Sequence, residues 1–242
     1  MLAPVPLATV KRDGGSNPEV PHLLRLAKGR FHSVLAAVLL CTGAARAAPG
    51  DSGGPRQVFQ CLGVGTRTTF TFRIYKVSFC LEEQTAREVP AWAREAHPSK
   101  EGDDLADALS DDDAFFERLM RAPGDKLVRL DFVRDVDRAR LEKAIRGGLE
   151  KYLASEDIAR IATGLRSVHE GDVVTMRSLG NRFVMQLGPH QEVLNDATAI
   201  NQQVWTLWLG RESATPNLKE SIARIVAREA EAREASPLGT PR

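Results

Sequence analysis

The sequence lacks the residue spacings that mark most metal and catalytic sites. Its five histidines form no H-x-x-x-H or H-E-x-x-H pair, and its three cysteines, Cys41, Cys61 and Cys80, lie far apart. No metal site is expected from that distribution. There is no G-x-S-x-G, no P-loop and no Cys–His pair at the spacing of a known nucleophile family. The acidic runs contain no D-x-D-x-D-G loop for calcium. Charge of one sign is lacking as well. A formal net charge of +1 gives no general attraction to nucleic acid or to an anionic membrane surface. Nor is there a long apolar run. Val34–Cys41 falls well short of the ~20 residues that cross a bilayer, so no stable membrane span is expected.

What is present at the amino terminus is a leader. Arg25, Lys28 and Arg30 precede the apolar run VLAAVLLC, which is followed by Ala45-Arg46-Ala47. A basic region, a short apolar region and an A-x-A site make a signal peptide with an extended leader over 1–47. The alternative is a short buried helix. The expected product is exported, to a periplasmic or extracellular space. The leader carries six basic and two acidic side chains, so its removal turns the net charge from +1 to −3. The Gly- and Pro-rich residues 48–56 read as a flexible linker. Cys61 and Cys80 stay with the mature chain. In an oxidising compartment they could be bridged, but spacing cannot establish that their Cα atoms are close enough, and two free buried thiols are the expected state.

The main body, 57–230, centres on Leu62–Glu82, LGVGTRTTFTFRIYKVSFCLE. Two glycines, Gly63 and Gly65, stand before Arg67, and a run of β-branched and aromatic residues follows. The expectation is a glycine-rich bend leading into one central strand. Phe70, Phe72 and Ile74 would lie on one face; Thr71, Arg73, Tyr75, Val77 and Phe79 would lie on the other. With neither face cleanly polar, both should be at least partly covered. Gln57–Gly63 reads as a short strand ahead of the bend.

Further along, Ala91–His97 reads as a helical turn and the acidic residues 101–104 as irregular. Ser110–Asp113 caps a helix carrying Phe115, Phe116, Leu119 and Met120. Lys126–Arg134 alternates as a strand, with Val128, Leu130 and Phe132 on one face. Asp135–Asp137 then caps a helix through Leu141, Ile145 and Leu149, and Ser155 caps the next. Val173–Leu179 and Arg182–Leu187 make a hairpin. A helix from Asn195 or Asp196 ends at Gly210, and a last one opens at Pro216. Trp205, Trp208 and Phe183 are candidates for a cleft lining but more simply for core. Arg134-Asp135 reads as a local ion pair at its turn. Residues 231–242 are read as a disordered tail. Strands, helices, a hairpin and helices again give an α+β domain with a largely antiparallel sheet and a helical layer.

G-x-G-x-R with a tyrosine eight residues later, the stretch Lys126–Leu153 with its RDV turn, and Gly171–Gly210 ending in Trp208-Leu209-Gly210 occur in one order. In that order the sequence resembles the chalcone isomerase-like family, especially its secreted bacterial branch, over residues 59–230. The resemblance implies an open-faced β-sandwich with a ligand cleft between sheet and helices, and no cofactor. It implies that Arg67 and Tyr75 hold the carboxylate of a bound ligand, as in the family's fatty-acid-binding members. The ligand would then be a small hydrophobic carboxylate or a phenolic compound.

The family's plant enzymes cyclise a chalcone and add a tyrosine–asparagine pair for proton handling. Here Leu141 and Gly148 occupy those places, and neither can donate a side-chain hydrogen bond. The resemblance therefore favours a non-catalytic binder. An isomerase (intramolecular lyase) acting on an enone or phenolic substrate, and a structural protein with a filled cleft, are the alternatives.

Overall fold

The computed structural model describes residues 57–235. The leader, its cleavage site and the linker lie outside the described residues, as does the chain from 236 onward. The elements run β1 (Phe59–Thr69), β2 (Phe72–Glu82), α1 (Glu83–Ala86), α2 (Val89–Ala96), α3 (Gly102–Ser110), α4 (Asp113–Arg121) and β3 (Lys126–Phe132). They continue with α5 (Arg138–Leu149), α6 (Ser155–Thr163), β4 (Val173–Leu179), β5 (Arg182–Leu187) and β6 (His190–Leu194). The chain ends in α7 (Thr198–Gln203), α8 (Thr206–Leu209) and α9 (Pro216–Glu234). The six strands form one antiparallel sheet in the order β1-β2-β3-β4-β5-β6. The α+β architecture expected from the sequence is the one found.

Register divides the sheet into two faces. Val77, Leu130 and Val174 are successive partners across β2, β3 and β4, as are Phe79, Val128, Met176 and Met185 from β2 to β5. All of these are buried, which makes this the face that the helices cover. Trp205, between α7 and α8, is fully buried and packs edge-on against both Phe79 and Phe183. The opposite face carries Ser78, Arg129, Thr175 and Gln186 in register, and it is far less covered. A face this polar needs no second layer.

Leu62–Glu82 is not one strand. The chain reverses at Phe70-Thr71, so that Arg67 pairs with Tyr75 and Thr69 with Phe72. The turn contains no Gly, Asn, Asp or Pro, and Phe70 adopts a positive φ of 54°, which is why composition did not reveal it. The glycines do not bend the chain either. They lie within β1, where a Cβ on Gly63 would stand 2.6 Å from Ile222 Cγ1 and one on Gly65 2.7 Å from Leu218 Cβ. Their role is to let α9 lie against the strand. Helix α9 also closes the free edge of β1: Ser221 Oγ accepts from the Val64 N–H at 3.1 Å and Asn217 Oδ1 from the Thr66 N–H at 3.0 Å. Covering an edge in this way removes a template for strand pairing between chains.

Cys61 and Cys80 are Cα partners across β1 and β2 and are joined by a disulfide. The free-thiol reading fails because the hairpin places side by side two residues that are 19 apart in sequence. In the chain-entropy view, closing a loop of that size stabilises by about 3 kcal/mol. Urea unfolding with and without reductant should therefore differ by about that amount; coincident curves would show that the bridge contributes nothing.

Other differences are local. The acidic stretch after Glu101 is the start of α3, whose Leu105, Ala106 and Leu109 are buried. Ser155 is the first helical residue of α6 rather than its cap, which is Ala154. Asp112 and Asp137 do cap α4 and α5, accepting from the N–H groups of Ala114, Phe115 and Arg140. Arg134 and Asp135 do not pair with each other. Arg134 lies over the Phe72 ring at 4.2 Å, and Asp135 accepts from the Glu170 N–H at 2.8 Å. Helix α9 continues to Glu234, past Ala230, as the good helix formers Glu, Ala and Arg there permit.

Candidate functional site

The buried face of the sheet is filled with side chains at one end only. At the other end it forms the floor of a cavity of about 950 Å³. Leu130, Phe132, Val174, Met176, Met185 and Leu187 make that floor, and Leu141, Ala144, Ile145, Gly148 and Leu207 from α5 and α8 face it. Gly148 has a packing role. A Cβ there would meet Leu207 Cδ2 at 2.4 Å, so the glycine lets α5 and α8 approach across the cavity. The lining is mainly apolar, and Arg140, Lys151, Arg166 and His190 are exposed polar residues among it. A closed third layer, as a filled-cleft protein would need, is not what the side chains make.

Arg67 and Tyr75 both line this cavity. The hairpin explains how. Eight residues of regular strand would separate them by roughly 26 Å, but as cross-strand partners their Cα atoms are ~4.5–5.5 Å apart. Opposed residues project from the same face, so both reach the same end of the cavity. Arg67 is half-buried and donates from Nη1 to the Ala214 carbonyl. Among the described residues no carboxylate stands within ion-pair distance of its guanidinium. One end of the fork is thus fixed by backbone, leaving further N–H groups for a ligand.

Tyr75 packs edge-on against Phe132, with ring centroids 5.4 Å apart. Its hydroxyl accepts a long hydrogen bond, 3.4 Å, from the Trp208 indole Nε1. Burial pushes the phenol above its ordinary pKa; the Trp208 and Thr215 side chains and the charge of Arg67 pull the other way without overcoming it. The phenol is therefore neutral at physiological pH. Because the indole donates to the oxygen, the phenolic proton remains free to donate into the cavity.

Trp205 belongs to the core and Trp208 to the site, a division that helical spacing could not make. Ala214 and Ser213, which also border the cavity, come from the loop before α9 and carry no sequence signal. Leu141 and Gly148 do line the cavity. The resemblance thus placed them in the right part of the fold, and neither brings a titratable group to it. Among the described residues no group of three His, Cys, Asp or Glu side chains is placed to hold a metal ion, and no helix is long and apolar enough to cross a membrane.

No protein-family model matches the chain, and no curated protein matches it. Among solved structures it is similar to a fatty-acid binding protein of Arabidopsis thaliana, with a TM-score of 0.55. That superposition covers 74% of this chain and 94% of the plant chain. The fold is chalcone isomerase-like. At 14% identity the likeness speaks for the fold alone, and the arrangement of Arg67, Tyr75 and Trp208 rests on this chain's own geometry.

Proposed function

We propose that the protein binds a small amphipathic carboxylate, fatty-acid-like in character, with its headgroup at Arg67 and Tyr75 and its chain along the apolar cavity. The observation that carries this reading is a guanidinium without a carboxylate partner among the described residues, set beside a neutral phenol at one end of an apolar cavity. A carboxylate there accepts charge-assisted hydrogen bonds from Arg67 and one from Tyr75. The volume falls near the top of the ~300–1,000 Å³ range of small-molecule sites. The solved neighbour, itself a fatty-acid binding protein, is consistent with such a ligand on this fold. The test is to incubate the purified protein with a mixed lipid extract and identify what is retained by mass spectrometry. Retention of long-chain carboxylic acids is expected, and retention of only neutral lipids, or of nothing, would defeat the reading.

The same geometry argues against isomerase chemistry. Cyclising a chalcone moves a proton, and Leu141 and Gly148, the positions to which the resemblance assigns that task, carry no side chain able to relay it. Chalcone should cyclise at its spontaneous rate in the presence of the protein. A protein-dependent rate lost in Arg67→Ala would reinstate an enzyme.

Export is part of the proposal. The leader with its A-x-A site supports it, and the Cys61–Cys80 disulfide fits an oxidising compartment better than a reducing one. Protein recovered from the exported fraction should begin at Ala48 on amino-terminal sequencing; an uncleaved amino terminus would count against it.

A further inference from the structure

The β1–β2 hairpin breaks two rules at one residue. Phe70 is 95% exposed, more than any other large hydrophobic side chain among the described residues, and it holds a positive φ of 54°. A bulky residue rarely adopts that conformation, and strain of this kind concentrates where function requires it. Asn or Gly would suit the turn better and would be soluble. Phe72, two residues on, is 52% exposed.

Within the hairpin itself charge is one-sided, although the whole chain is nearly balanced. From Gln57 to Leu81 there is no acidic residue, while Arg67, Arg73 and Lys76 are present, Lys76 standing opposite Asp131 of β3. Arg134 adds a fourth cation, stacked 4.2 Å over the Phe72 ring. Its neighbour Asp135 is turned to the Glu170 N–H. Exposed aromatic rings framed by arginines that form no ion pair among the described residues match the boundary of an anionic bilayer, where rings enter the interface and guanidiniums meet phosphates.

We propose that the hairpin tip, Thr68–Arg73, docks on an anionic lipid surface, with Phe70 entering the interface and Arg73 and Arg134 meeting the headgroups. Its position gives the docking a use. Arg67, Thr69 and Ile74, which flank the tip, also line the cavity, so an amphipathic acid could pass between bilayer and cleft without crossing water. That use rests on the proposed ligand; the docking itself does not.

The test is sedimentation of the full chain with vesicles of about three parts phosphatidylcholine to one part phosphatidylglycerol, compared with phosphatidylcholine alone. Phe70→Asn suits the positive φ of the turn and removes the ring, so the fold is kept. Vesicle affinity should fall about tenfold in that variant, as expected for losing one buried aromatic ring. Binding should also weaken with added salt and be poor without the anionic lipid. Because residues before the hairpin are the same in both proteins, Phe70→Trp with bilayer-embedded brominated lipid gives a second, local readout. Extra quenching relative to the parent protein is expected. Equal vesicle affinity of Phe70→Asn and parent together with no extra quenching would overturn the proposal, as would a Phe70-dependent dimer that ignores vesicles. Solution binding of a fluorescent stearate is measured alongside and should be unchanged in Phe70→Asn. If the stearate fails to bind while the tip still docks, the ligand reading falls and the docking stands.

Discussion

Arg67→Met is expected to weaken the binding of an anionic amphiphile by about 10- to 100-fold, the equivalent of losing a charge-assisted hydrogen-bond pair worth ~1.5–3 kcal/mol. Methionine keeps most of the apolar stem that packs in β1, so the change isolates the charged fork. Tyr75→Phe removes one neutral donor, and the expected loss is about 2- to 10-fold. The double variant should lose less than the sum, because both groups act on one carboxylate and each loses value when the other is gone. Titrating a fluorescent stearate against the three variants checks all of this. Additive losses would place the two side chains on different parts of the ligand, and an unchanged affinity in Arg67→Met would remove the headgroup site altogether.

The pH dependence has a definite sign. Tyr75 must be protonated to donate, and burial raises its pKa above the free value. The donor is therefore fully present below the ordinary tyrosine range and is lost only as pH rises through the higher folded value. Affinity for the carboxylate should stay level from neutral pH to about pH 10 and fall above it. In Tyr75→Phe that alkaline fall should disappear.

Much of the sheet was legible because β3 alternates between apolar and polar residues and because the Gly180-Asn181 turn marks β4 and β5 as a hairpin. Lys126–Phe132 lies where the period-two pattern places it, and Val173–Leu179 and Arg182–Leu187 lie either side of that turn. β6 was not, since HQEVL has too few apolar residues to alternate. Helix α3 was hidden by Asp103 and Asp104, which decorate the outside of a helix whose buried side is only Leu105, Ala106 and Leu109. The central hairpin failed for a different reason. Its turn uses residues of high strand propensity, while the glycines that suggested a bend exist to admit α9. Local composition cannot distinguish a glycine needed for φ from one needed for close approach.

The site divides along the same line. Arg67 and Tyr75 came from a resemblance, and the eight-residue spacing by itself argued against their meeting. Only the register of the hairpin unites them. Trp208 and the Ala214 carbonyl, which hold Tyr75 and Arg67 in place, are brought there by α8 and the loop before α9. Those contacts are more than 130 residues apart in sequence, beyond the reach of any local pattern.

The dependence of the site on α9 gives the second large prediction. At Gly65 an added Cβ would lie 2.7 Å from Leu218 Cβ, 2.8 Å from the Leu218 backbone nitrogen and 2.8 Å from Thr215 Cγ2. Backbone is among the obstacles, so trimming Leu218 cannot relieve the clash and α9 itself must move outward. Moving it disturbs Leu218, Ile222, Ala223 and Val226, all fully buried, and stretches the edge contacts from Asn217 and Ser221. Gly65→Ala should therefore cost about 2–3 kcal/mol in urea unfolding, at the upper end of overpacking effects, and Gly65→Val more. Because Ala214 immediately precedes Thr215, the same outward shift pulls the carbonyl that anchors Arg67. Gly65→Ala should then also bind the fluorescent stearate several-fold more weakly at temperatures where it remains folded, whereas a comparably destabilising change far from α9, such as Met185→Ala in the sheet's floor, alters affinity only through the cavity's shape and leaves the Arg67→Met penalty intact. If Gly65→Ala unfolds within about 0.5 kcal/mol of the parent, α9 is not held against β1 as described, and the anchoring of Arg67 by Ala214 loses its structural basis.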